Sequence, residues 1–149
     1  MATAHDVAAS ILKRTGPIDT FKLEKLAYYA KAWHFVWQGV PLFSARIEAW
    51  AHGPVVPALY EKHRGQFAVQ TWRWGDEGNL SEDEIETIET VLLAYKKYRG
   101  WELAELTHRE DPWRLARESE GLTEGQRGNP EITDESMQTY YEQRLLTIN

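Results

Sequence analysis

The sequence predicts a mainly α protein: a single compact helical domain around a central aromatic-rich helix, with a small β-hairpin. Three observations predict it. A long stretch between Asp19 and Gly39 keeps apolar residues at helical spacing almost all the way round. Helix-start signals recur downstream, at Ser81 with Glu84 and at Asp111-Pro112. Period-two alternation is confined to two short runs, Ile47–Ala51 and Phe67–Trp74. A length of 149 residues favours one domain over the whole of 1–149. A chain of this size buries ~68–70% of its unfolded surface, enough for a sizeable core.

The elements follow in order. Ala4, Val7, Ala8, Ile11 and Leu12 make one helical face, with Lys13 and Arg14 in the last turn where cations meet the negative end of the helix dipole. Gly16-Pro17 stops that helix. Asp19 or Thr20 caps the second, which runs to Gln38 before Gly39. Leu23, Leu26, Ala27, Ala30, Trp33 and Trp37 share a face with His34, expected to be a core histidine bonded to backbone, while Tyr28 and Phe35 lie opposite beside Glu24 and Lys31. A helix apolar on most of its circumference is contacted from several sides.

Ile47–Ala51 reads as a strand, and His52-Gly53-Pro54 as a turn feeding a helix whose first turn accommodates Pro54 and Pro57. Phe67–Trp74 reads as its hairpin partner. Ser81 and Glu84 form a capping box ahead of Ile85, Ile88, Leu92 and Tyr95. Trp101–Leu106 suits a short helix, and Asp111-Pro112-Trp113 restarts another with Asp111 as N-cap. Residues 121–130, with Gly121, Gly125, Gly128 and Pro130, form a loop. A last helix runs from about Asp134 to Leu146.

Several kinds of chemistry are excluded or unsupported. Cysteine is absent, which removes disulfides, thiol catalysis and cysteine-ligated metal sites. The opening residues form no signal peptide, and no apolar run approaches the ~18 residues a membrane span needs, so a cytoplasmic protein is expected. There is no Gly-rich phosphate loop and no nucleophile elbow. His5, His34, His52, His63 and His108 include no pair at metal-binding helical spacing, so no metal and no cofactor are expected. His52, His108 and Asp111 are the residues an enzymatic alternative would use.

Charge is split along the chain, with a net of +4 over residues 1–75 and −10 over 76–149. The basic half is too modest, and the acidic half too repulsive to phosphate, for nucleic acid to be an expected ligand. Seven Trp, seven Tyr and four Phe are a heavy aromatic load. Trp and Tyr are favoured anchors of protein interfaces, and Trp72 and Trp74, on a short edge-like strand, are the expected partner contacts.

Several runs together resemble the Panacea (SocA-like) antitoxin domain. They comprise Lys22, Leu23, Lys25, Leu26, Tyr28 and Tyr29 followed by Trp33; Trp50 with His52-Gly53-Pro54-Val55, Pro57 and Tyr60; and Thr107-His108 with Asp111-Pro112-Trp113. The blocks occur in order over about residues 19–118. Glu24 and Ala104 stand where the family often has Gln and Ser. The resemblance implies an antitoxin of a bacterial or phage toxin–antitoxin pair, neutralising a cognate toxin, often encoded by an adjacent gene, by direct protein contact. The motif residues serve the fold or the partner surface alike. Delivery of the toxin to a protease is the alternative mechanism. An added DNA-binding segment, which some family members carry, is not expected in these 149 residues.

Overall fold

A computed structural model describes residues 2–148, with side chains through Leu145. Helix α1 (Ala4–Thr15) opens on a capping box. The Thr3 hydroxyl accepts from the Asp6 amide at 3.2 Å, and the Thr3 amide donates to the Asp6 carboxylate at 2.9 Å. That carboxylate also accepts from the Asp76 amide at 2.9 Å and from Asn79 at 3.2 Å, which fastens the 75–79 turn onto α1. A two-residue strand β1 (Ile18–Asp19) leads into α2 (Thr20–Gln38), where the Asp19 carboxylate caps the Lys22 amide at 2.7 Å.

Helix α2 is the axis of the molecule. Residues 23–32 are buried without a break. Around α2 pack α1, α4 (Glu82–Tyr95), α5 (Gly100–His108) and α7 (Asp134–Ile148). Leu23, Leu26, Leu59 and Leu103 are fully buried, each contributing ~1.5–3 kcal/mol of hydrophobic stabilisation. The capping box expected at Ser81 and Glu84 is present. His34 bonds the Thr87 hydroxyl of α4 at 2.8 Å rather than backbone, because the α2 carbonyls around it are engaged within the helix.

The β-structure is richer than a single hairpin. Strand β2 (Ile47–Trp50) is flanked by β3 (Gly53–Val55) and by β5 (Glu131–Ile132), both antiparallel, so neither edge is left for the Phe67–Trp74 segment. That segment contributes only β4 (Ala68–Val69), which pairs with β1. Pro54 is likewise in β3 and not in a helical turn; α3 begins at Pro57 and ends at His63. Pro54 faces Ala49, whose amide donates to Pro130 at 2.7 Å and whose carbonyl accepts from Arg117 at 2.9 Å. Both polar groups of Ala49 thus point away from β3, and the missing proline N–H costs no ladder bond.

Helix α6 (Asp111–Glu118) locks this sheet. The Trp113 indole donates to the Trp50 carbonyl at 2.8 Å, and the buried Arg117 guanidinium bonds Ala49 and also the carbonyls of Thr123 and Gln126 in the 119–130 loop. The N-cap of α6 is Glu110, not Asp111. Asp111 occupies the first helical position and pairs with Arg114 at 2.5 Å. Glu110 turns inward, accepting from the Tyr29 and Tyr141 hydroxyls, each at 2.8 Å. Since Tyr141 donates to Glu110, it accepts from Tyr28, 3.0 Å away. Trp72 is buried as well, at 5% exposure, with its indole N–H on His5 at 3.2 Å. It is not the surface contact expected of it; Trp74 alone of that pair reaches the surface.

Candidate functional site

The first two turns of α2 lie under the β2–β3 hairpin, and between them sits a pocket of about 790 Å³. Thr20, Phe21, Glu24 and Lys25 form its floor. Trp50, Ala51 and His52 come from the hairpin, Tyr60 and His63 from α3, and Arg127 with Asn129 from the loop before β5. The indole of Trp50 donates to Glu48 at 2.8 Å and meets Tyr60 edge-on, 4.8 Å between ring centres, so the aromatic wall is fixed from behind.

Two charged residues sit inside this wall, and they are treated differently. Glu24 is 3% exposed and both its oxygens are engaged: one accepts from the Val56 amide at 2.7 Å, the other lies 2.7 Å from His63 Nε2. It thereby ties α2 to the start and the end of α3. Lys25 is 1% exposed, and its Nζ lies 4.0 Å above the Phe21 ring. No hydrogen bond or ion pair reaches that Nζ among the described residues. Burial pushes the ammonium down to about 8, against weaker upward pulls from Glu24 and Asp19. Lys31, one turn and a half further on, shows the usual solution: its Nζ donates to the Ala45 carbonyl at 2.8 Å and faces Asp134 at 3.4 Å.

Gly53 explains how the hairpin approaches so closely. Its φ is +122°, a region only glycine occupies at ease, and a Cβ there would lie 2.5 Å from Lys25 Cε. Thr107 backs the same spot from α5, fully buried and bonding the Ala104 carbonyl at 2.7 Å. The His52-Gly53-Pro54 turn, Lys25 and Thr107 therefore form one packed unit.

The other motif residues have settings that geometry makes plain. Leu23 and Leu26 are core; Tyr28 and Tyr29 belong to the Glu110 network; Val55 and Pro57 carry the chain from β3 into α3. Lys22 donates to the Lys96 carbonyl at 2.5 Å, and Trp33 to the Tyr95 hydroxyl at 2.9 Å. Pro112 is buried at the start of α6. The three residues of the enzymatic alternative fall in separate settings. His52 is exposed on the large pocket, His108 stacks on Trp113 at 3.9 Å beside a smaller one of about 270 Å³, and Asp111 is paired with Arg114. Among the described residues no group of three His, Asp or Glu is placed to hold a metal ion.

Sequence reasoning passed over the Glu24–His63 pair and the loop residue Arg127. The available signal was charge at positions 22, 24, 25 and 31 of a helix that is apolar on most of its circumference.

A family profile described as antitoxin SocA-like, Panacea domain, matches residues 23–114. The chain belongs to that family. No curated protein and no solved structure matches it. The Panacea match takes in α2 from Leu23, the β2–β3 hairpin, α3, α4, α5 and the start of α6. Most of the pocket is therefore built from the Panacea segment, while Arg127 and Asn129 line it, and β5 completes the sheet, from outside that segment.

Proposed function

We propose that this Panacea protein is the antitoxin of a toxin–antitoxin pair and neutralises its cognate toxin by direct protein–protein binding in the cytoplasm. The observation that carries the reading is the family match over residues 23–114. Two further features support a partner surface. Phe67 is 84% exposed and Trp101 54% exposed, large aromatic side chains available to a partner. Both flank the first turn of α2: the Phe67 carbonyl accepts from the Thr20 amide at 2.8 Å, and Gly100 packs against Asp19 and Lys22. No helix of the described residues is long and apolar enough to cross a membrane.

The test is co-expression with the product of the adjacent gene. Rescue of growth together with a co-purifying complex is expected, with toxin half-life unchanged. A harmless neighbour, or rescue with no complex, rejects direct neutralisation; rescue through a shortened toxin half-life replaces it with delivery to a protease.

A further inference from the structure

We propose that the 790 Å³ pocket is a binding site for a small organic anion, its carboxylate or phosphate group seated on Lys25 and its apolar body against Trp50 and Tyr60. Lys25 is the reason. The residue is 1% exposed, lies on the pocket wall against the Gly53 turn and Thr107, and among the described residues makes no hydrogen bond or ion pair, only a contact with the face of Phe21. A buried cation ordinarily has a paired anion or a set of carbonyl acceptors. Lys31, on the same helix, has both. The carboxylates nearest to Lys25 are spent: Glu24 on Val56 and His63, Asp19 on the Lys22 amide. Lys25 thus brings a charge and three donors without an assigned acceptor to the wall of the pocket.

The space has the dimensions and composition of a small-molecule site. Such sites occupy ~300–1,000 Å³, with aromatic walls and a few convergent polar groups. Here the aromatic wall is preformed, because Trp50 is held by Glu48 and Tyr60 packs edge-on against it. Arg127 adds a second cation on the loop side of the pocket. The hairpin turn presses on the Lys25 stem through Gly53, limiting where the ammonium can go other than into the pocket.

The experiment follows the Trp50 indole N–H signal by NMR during titration with benzoate, phenyl phosphate and benzamide, the last being the neutral isostere of benzoate. Saturable shifts are expected with both anions, and binding of benzamide at least ten-fold weaker than of benzoate. Lys25→Met is expected to stay folded and to lose that preference. A larger affinity for phenyl phosphate assigns the head group as phosphate, the reverse as carboxylate. The proposal is overturned if no probe moves the Trp50 signal, if benzamide binds as well as benzoate, or if folded Lys25→Met keeps the anion preference. The comparison of benzoate with benzamide uses the unaltered protein, so it decides the matter even should the variant fail to fold.

Discussion

Replacing Lys25 by Met should stabilise the protein. Met matches the length of the lysine stem and exchanges the Nζ–ring contact with Phe21 for a thioether beside that ring, while removing a charge that lacks a paired anion. Lowering the ammonium from its ordinary 10.5 to about 8 corresponds to a folding penalty of about 3 kcal/mol at neutral pH, at ~1.4 kcal/mol per tenfold. Some of that gain is lost to imperfect packing of the thioether, so an increase of about 1–3 kcal/mol is expected. The sign with pH follows from linkage. Between about pH 8 and 10.5 the unfolded chain holds the Lys25 proton and the folded chain has lost it, so stability of the natural protein rises through that window. Lys31 is lowered too, by burial, and contributes in the same direction, so the informative quantity is the difference between the two proteins. Urea denaturation at pH 7 and pH 9.5 should show the advantage of Lys25→Met largest at pH 7 and shrinking at pH 9.5. A variant less stable than the natural protein at pH 7, with the same pH slope, would show that the ammonium is satisfied in solution, and would refute the reasoning.

Four other outcomes are expected. Gly75→Ala places a Cβ 2.1 Å from the His5 carbonyl oxygen, a backbone atom pinned by the Asp6 network, and should cost more than about 3 kcal/mol by thermal unfolding. Tyr141→Phe removes one of two donors to the buried Glu110 and the acceptor of Tyr28, so a loss of about 2 kcal/mol is expected in urea. Burial pushes the Glu110 carboxyl above its ordinary 4.5, although Tyr29 and Tyr141 pull it back. Above pH 4.5 the folded chain therefore keeps a proton that the unfolded chain has lost, and stability declines as pH rises to the native value; Glu110→Gln should abolish that decline in a Tm–pH series. Arg117→Lys keeps the charge but cannot reach the carbonyls of Ala49, Thr123 and Gln126 together, so proteolysis within residues 119–130 should accelerate at little change in helical content.

What was legible in the sequence is what local chemistry decides. Asp19 and Gly39 bound α2 because a carboxylate cap and a C-terminal glycine act within a few residues. Ser81 and Glu84 bound α4 for the same reason. Strand β5 left no trace, since two residues become a strand only when β2 offers an edge 83–85 positions away. Asp111 reads as the cap because it stands directly before a proline suited to the first helical position, yet the chain turns so that Glu110 is the boundary residue and its carboxylate faces Tyr29 and Tyr141. The burial of Trp72 depends on His5 and α1, which alternation within Phe67–Trp74 cannot foresee. The pocket is the clearest case. Lys25 is visible in the sequence as a motif residue, but its isolation depends on how Glu24, Asp19 and the Gly53 turn are occupied, and each of those is a tertiary fact.

The hydroxyl bridge between Tyr28 and Tyr141 has a consequence for timing on the ribosome. The two residues are 113 positions apart. At a synthesis rate of ~5–20 residues per second, Tyr28 is made ~6–23 s before the residue that accepts its hydrogen bond. During that interval α2 has neither α7 against it nor β5 on the open side of β2, and Glu110, once made, has one donor instead of two. Until Tyr141 is made, the Tyr28 hydroxyl and the side of α2 that α7 covers lack the partners they have in the folded protein. Completion of the buried network around α2 therefore waits on a residue made 113 positions after Tyr28.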